Sequence, residues 1–197
     1  MTLDRWAYLG HRLGECWVDE VHNKTYIHIP KNASSFIKGI LIGSGGFWHH
    51  SETLVNSDET LIVLRDPIDR WCSGIAQYLY NSNQVDMPAD LVFEKVIFDD
   101  HTDLQTYFLQ DVDLTSATFM VVNDDLRANI NDWIIDRGYR TNVDIAIQYN
   151  ASRDDDRLTI KNYYINLLKQ RPDLVLKLNK YFEADYELIN RVKFYGN

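Results

Sequence analysis

The chain has 197 residues, 45% hydrophobic and 25% charged, the balance of one ordinary globular domain over 1–197. That composition excludes disorder, collagen-like repeats and a disulfide-stapled mini-scaffold. Twenty Lys and Arg against 29 Asp and Glu give a formal net charge of −9, so nucleic acid and anionic membranes are not expected partners, and any phosphate-bearing ligand must be held by a few focused basic groups.

Met1-Thr2-Leu3-Asp4-Arg5-Trp6 lacks the basic-then-apolar layout of a secretory leader. No apolar run approaches the roughly 20 residues of a membrane span. A cytoplasmic protein is therefore expected. Cys16 and Cys72 are too few for a disulfide framework and show no CxxC or Cys/His metal spacing, so reduced thiols are expected.

In chain order, Thr25-Tyr26-Ile27-His28-Ile29 reads as a buried strand ended by Pro30. A polar loop, Lys31 to Ser35, precedes a helix marked by Ile37, Ile40 and Leu41, with Ser34 or Asn32 as its N-cap. Gly43-Ser44-Gly45-Gly46 breaks that helix. A second strand, Leu61 to Leu64, runs through Arg65-Asp66-Pro67 into a helix over about 68–80. Helices over about 88–98 and 103–110 follow, then a strand from Thr118 to Val122. Asn123 or Asp124 caps the next helix, whose face is Leu126, Ile130, Trp133 and Ile134. Asp144 to Gln148 reads as a short last strand. Two helices close the chain, one with Ile160, Tyr164, Leu167 and Leu168, the other with Leu174, Leu178, Tyr181 and Phe182. Alternating strands and helices predict an α/β three-layer sandwich around a central, mostly parallel sheet.

Two strand-to-helix turns carry unusual residues, and such turns are where open α/β sheets bind ligands. In Pro30-Lys31-Asn32-Ala33-Ser34-Ser35, a helix N-terminus, a lysine and two hydroxyls suit a phosphate or sulfate; a plain capped helix with a solvated lysine is the alternative. It is not a Walker A loop, because no GxxxxGK[ST] occurs. Gly43 to Gly46 follows a helix rather than a strand and reads as a flexible turn. In the second turn, Arg65 leaves a buried strand at the ligand edge and Ser73 lies inside the next helix. An Arg fork with a hydroxyl makes a compact monophosphate clamp. The alternative is a helix-entry salt bridge of Arg65 or Arg70 with Asp66 or Asp69.

Together the two turns resemble the sulfotransferase family. Ile27-His28-Ile29-Pro30-Lys31-Asn32-Ala33-Ser34-Ser35 is similar to its 5′-phosphosulfate loop, HIPKTGGTS. Val63-Leu64-Arg65-Asp66-Pro67-Ile68-Asp69-Arg70-Trp71-Cys72-Ser73-Gly74 is similar to its 3′-phosphate motif, VLRDPxxRxxS, with the same Arg-to-Ser spacing of eight. The resemblance covers about 24–75 closely and the rest thinly. Tyr149-Asn150-Ala151-Ser152 resembles the late loop HxNxS, with Gln148 in place of His, and Tyr181 to Leu188 resembles the terminal helix. The sequence departs from the family at Asn32-Ala33, where many members have Thr-Gly-Gly.

The resemblance implies a P-loop-NTPase-like fold and the co-substrate 3′-phosphoadenosine 5′-phosphosulfate (PAPS), with no metal. Lys31, Asn32, Ala33, Ser34, Ser35, Arg65, Ser73, Asn150 and Ser152 would bind it, and Lys31 would also be catalytic. Of three Asn-x-Ser/Thr sequons, at Asn23, Asn32 and Asn150, the last two fall in these loops, where a glycan would obstruct the site. A general base is needed for the acceptor. His50-Ser51 resembles the family's His-Ala/Ser-Thr element, which makes His50 the candidate, with His49 as its alternative. His28, inside a strand, reads as a core histidine. His101 has acidic company in Asp99, Asp100 and Asp103. The runs Asp99-Asp100, Asp124-Asp125 and Asp154-Asp155-Asp156 read as solvated caps and loops. Phe47, Trp48 and Trp71 read as core or rim. The expected acceptor is a small molecule or a neutral carbohydrate. A nucleotide-dependent kinase and a non-catalytic module binding 3′-phosphonucleotides are the other function classes.

Overall fold

The computed structural model describes residues 13–140 and 155–196. These fall into two compact units, one of residues 13–65, 107–140 and 191–196, the other of 66–106 and 155–190. The Asp144 to Gln148 strand, Asn150 and Ser152 lie outside the described residues.

The first unit holds a five-stranded sheet: β1 (Cys16–Asp19), β2 (Lys24–Ile27), β3 (His49–Ser51), β4 (Glu59–Leu64) and β5 (Ala117–Val121). The spatial order is β3-β1-β2-β4-β5. Strand β4 is interior, between β2 and β5, and its run Thr60 to Leu64 is buried on both faces, which is why it reads as continuous rather than alternating. It pairs in parallel with β2 (Tyr26 opposite Leu61) and with β5 (Ile62 opposite Phe119).

The expected mostly parallel sheet is corrected here. β1 is antiparallel to both β2 and β3, so two of the four ladders are antiparallel and the sheet is mixed. Both added strands are short, and His49-His50-Ser51 carries none of the β-branched signature of a strand. The turn between β1 and β2 is organised by Asp19, whose carboxylate accepts the backbone N–H of Val21 (3.0 Å) and His22 (3.3 Å). Asn23 follows with φ 51°, a conformation asparagine tolerates better than most residues.

Helices α1 (Ser34–Gly43) and α4 (Leu126–Asp136) share one face of this sheet. Ile37, Ile40 and Leu41 from α1 meet Leu126, Ile130, Trp133 and Ile134 from α4 over Tyr26, Leu61, Val63 and Met120. The predicted helical periodicities are the ones buried. The expected side-chain cap of α4 is absent, since Asp125 stands at the N-cap without a side-chain bond, and Asn123 Oδ1 instead accepts the N–H of Asp125.

The second unit is helical: α2 (Pro67–Asn81), α3 (Ala89–Lys95), α5 (Asp155–Gln170), α6 (Pro172–Tyr181) and α7 (Glu183–Arg191). Asp66 caps α2, its Oδ1 accepting the Asp69 N–H at 2.8 Å ahead of Pro67 at the first helical position. Trp71, Ile75, Phe93, Tyr164, Leu178 and Phe182 centre the core. Two predicted elements change. The helix over 103–110 shrinks to a 3-10 turn, Thr106–Leu109, and the last closing helix splits at Phe182 into α6 and α7. Cys16 and Cys72 are both buried, and neither is in a disulfide. Among the described residues no helix is long and apolar enough to cross a membrane.

The loop between α3 and the 3-10 turn overturns the reading of Asp99-Asp100 as solvated, for both are buried. His101 Nδ1 lies 3.1 Å from Asp99 and 2.9 Å from Asp100. Burial would lower the imidazole pKa, but the hydrogen bonds it donates to Asp100 and Asp99, with their negative charges, raise it above its ordinary value. The fully buried Arg70 of α2 donates to the Asp100 and Asp103 carbonyls. Helix α2 approaches this loop so closely at Gly74 that a Cβ would overlap the His101 carbonyl. Gly74→Ala is therefore expected to lower stability by about 2–3 kcal/mol despite alanine's better helix propensity. Thermal unfolding decides it, and a more stable variant would show that the loop yields.

Candidate functional site

The loop between β2 and α1 is built on left-handed backbone. Lys31 has φ 69° and Ala33 φ 57°, two non-glycine residues in a conformation that costs each roughly 1–2 kcal/mol. Ala33 is the N-cap of α1 and makes no side-chain cap hydrogen bond, which corrects the expectation of Ser34 or Asn32 as cap. The first-turn N–H groups of α1 thus receive no side-chain cap at the positive end of the helix dipole. Ser34 and Ser35, half-buried, occupy that first turn.

Two ties to β4 hold the strained loop. Asn32 is fully buried, and its Nδ2 donates to the Val63 carbonyl at 2.7 Å. Its amide is an anchor, which also removes it as a glycan acceptor in the folded chain. Arg65, at the end of β4, donates from Nη1 to the Lys31 carbonyl at 2.7 Å. The two cationic residues singled out from the sequence, Lys31 and Arg65, are thereby linked, both half-buried. Ser73 belongs to the second unit, where its hydroxyl donates to the Asp69 carbonyl at 3.0 Å, and Asp69 pairs with Lys161 at 2.7 Å.

The histidines separate on β3. Neighbouring side chains on a strand point to opposite faces. The His49 ring is 51% exposed and lies 3.7 Å from the open carboxylate of Glu20. The His50 ring, 43% exposed, brings Nε2 within 3.0 Å of Glu15 Oε1. The same oxygen lies 2.7 Å from His28 Nδ1. Glu15 and His28 are buried, at 8% and 5% exposure, and the His28 N–H donates to the Glu15 carbonyl at 3.0 Å. His28 is thus interior as expected, yet it joins a carboxylate and a partly exposed imidazole two residues before Pro30-Lys31.

Sequence reading missed Glu15. Its signal was a carboxylate directly before a four-residue strand that had itself not been recognised. The glycine turn is a turn, as read. Gly45 has φ 76°, and at Gly46 a Cβ would lie 2.6 Å from Asp19 Oδ2, so that position is closed to a side chain. Trp48 and Trp71 are core and Phe47 is exposed. Among the described residues, Asp99, Asp100 and His101 are the group with metal-compatible spacing, and their ion pairs already use it. Comparison with protein-family models, with curated proteins and with solved structures returns no match for this chain.

Proposed function

We propose that the chain is a PAPS-dependent sulfotransferase of three-layer, P-loop-like architecture, acting on an acceptor hydroxyl or amine. The observation that carries this reading is the β2–α1 turn. A sequence similar to the 5′-phosphosulfate loop adopts left-handed backbone at Lys31 and Ala33 and leads into a helix start without a side-chain cap. Left-handed residues beside right-handed ones turn successive N–H groups toward a common concavity, the backbone form of an anion site. Lys31 adds a full charge, and Arg65 fixes the loop at its carbonyl.

In this reading the acceptor oxygen attacks sulfur as its proton passes to His50, and the sulfur–oxygen bond to the 5′-phosphate breaks with the electron pair leaving on phosphate. The chain supplies position and charge. Lys31 and the α1 N–H groups stabilise charge developing on that phosphate, and Arg65 binds the 3′-phosphate. His50 is preferred over His49 because a buried carboxylate orients it.

The test is a thermal-shift titration with 3′,5′-adenosine bisphosphate, ATP and 5′-AMP. Bisphosphate at 100 times its Kd is expected to add about 2.7 kcal/mol, roughly 5–10 °C for a chain of this length. A shift with ATP alone would instead favour a kinase. No shift with any of the three would remove the nucleotide reading.

A further inference from the structure

The geometry points to Glu15 as the positioning residue of His50, in an imidazole–carboxylate–imidazole chain His28–Glu15–His50 that fixes which ring nitrogen of His50 takes the acceptor's proton. This inference rests on the sulfotransferase reading for its chemistry, but the chain itself is a property of the fold. Glu15 Oε1 stands 2.7 Å from His28 Nδ1 and 3.0 Å from His50 Nε2. An ionised carboxylate only accepts hydrogen bonds, so both nitrogens reach it as N–H donors. In the neutral ring of His50 this commits the proton to Nε2 and leaves the lone pair on Nδ1.

The consequence for transfer is specific. Nδ1 accepts the hydroxyl proton as the acceptor oxygen bonds to sulfur, and the resulting imidazolium, protonated on both nitrogens, faces a buried carboxylate. The same logic of a buried acid orienting an imidazole operates in Ser-His-Asp hydrolases. His28 has a different task. It is 5% exposed, on the strand side of the loop, and its N–H to the shared oxygen holds the carboxylate in register while the His50 ring reaches solvent. Burial on one side and 43% exposure on the other give the chain a direction, from an interior anchor to an accessible base.

Nuclear magnetic resonance of the full chain tests the chain of bonds without any turnover. The wild type is expected to show two downfield, slowly exchanging ring N–H protons, one on His28 Nδ1 and one on His50 Nε2. They are assigned by their separate loss in His28→Gln and His50→Gln. Glu15→Gln should move or abolish the His50 signal. The same variant should lower kcat by about 10²-fold or more, with bisphosphate affinity unchanged and partial recovery in Glu15→Asp. A His50 ring protonated on Nδ1 in the neutral form, or lacking a protected Nε2–H, overturns the assignment even if no variant folds. Full kcat in Glu15→Gln overturns it too. Absence of bisphosphate binding with both protected protons present would instead remove the sulfotransferase reading and leave the chain of bonds standing.

Discussion

Lys31→Ala is expected to lower sulfuryl transfer by about 10²-fold or more while changing the Kd for 3′,5′-adenosine bisphosphate by less than about threefold. The reason is where charge changes. In the proposed reading the bisphosphate carries its negative charge throughout, and the α1 N–H groups with Arg65 would supply most of its ground-state binding. The bridging phosphate oxygen gains charge only as the bond to sulfur breaks, and an ammonium at that point helps the transition state more than the ground state. Arg65→Ala should behave differently. Losing a charged hydrogen bond to the 3′-phosphate costs about 1.5–3 kcal/mol of affinity. The guanidinium also holds the Lys31 carbonyl at 2.7 Å, so its removal loosens the loop and lowers turnover as well. Steady-state kinetics with direct nucleotide titration separates the two. If Lys31→Ala loses affinity as steeply as rate, the lysine is a binding residue and the division of roles fails.

The pieces legible in sequence were those with a period or a punctuation mark. Helices α1 and α4 announced themselves through Ile37-Ile40-Leu41 and Leu126-Ile130-Trp133-Ile134, because burial on one face forces a helical repeat. β4 announced itself as an unbroken apolar run, because it is buried on both faces. β1 and β3 stayed invisible because four and three residues are too few to show alternation. With β1 unseen, Glu15 had no element to sit on, and His28 looked like an isolated core residue. Ala33 was legible as a departure from glycine but not as an N-cap, since a left-handed alanine is held by tertiary ties rather than by propensity. The Asp99-Asp100 pair shows the converse error. Composition says that adjacent aspartates are solvated, and only the fold brings Arg70 and His101 to them.

Glu59→Gln is expected to lower unfolding free energy by about 2–3 kcal/mol, as removal of the anion from a half-buried ion-pair cluster leaves its cations facing each other. Glu59, at the start of β4, gathers the lower end of the first unit. Its Oε1 accepts from Thr118 Oγ1 of β5 at 2.6 Å and from Trp133 Nε1 of α4 at 3.1 Å. Arg137 reaches both carboxylate oxygens, with Nε at 2.7 Å from Oε2, and Lys24 Nζ of β2 is 3.1 Å from Oε2. Burial alone would raise its pKa, but the hydrogen bonds from Arg137, Thr118 and Lys24 outweigh that and bring it down to about 2. A folded value below the unfolded one stabilises above about pH 4.5, and the contribution is lost as pH falls toward 2. At about 1.4 kcal/mol per pH unit the shift corresponds to roughly 3 kcal/mol, with a side chain only 15% exposed. The glutamine variant keeps the shape but leaves Arg137 and Lys24 as facing cations. Urea unfolding between pH 2 and 7 reads both consequences, a destabilised variant at neutral pH and a narrowed gap to wild type in acid. A gap below about 1 kcal/mol at pH 7 would mean that solvent screens the cluster and that apolar packing alone joins β2, β4, β5 and α4.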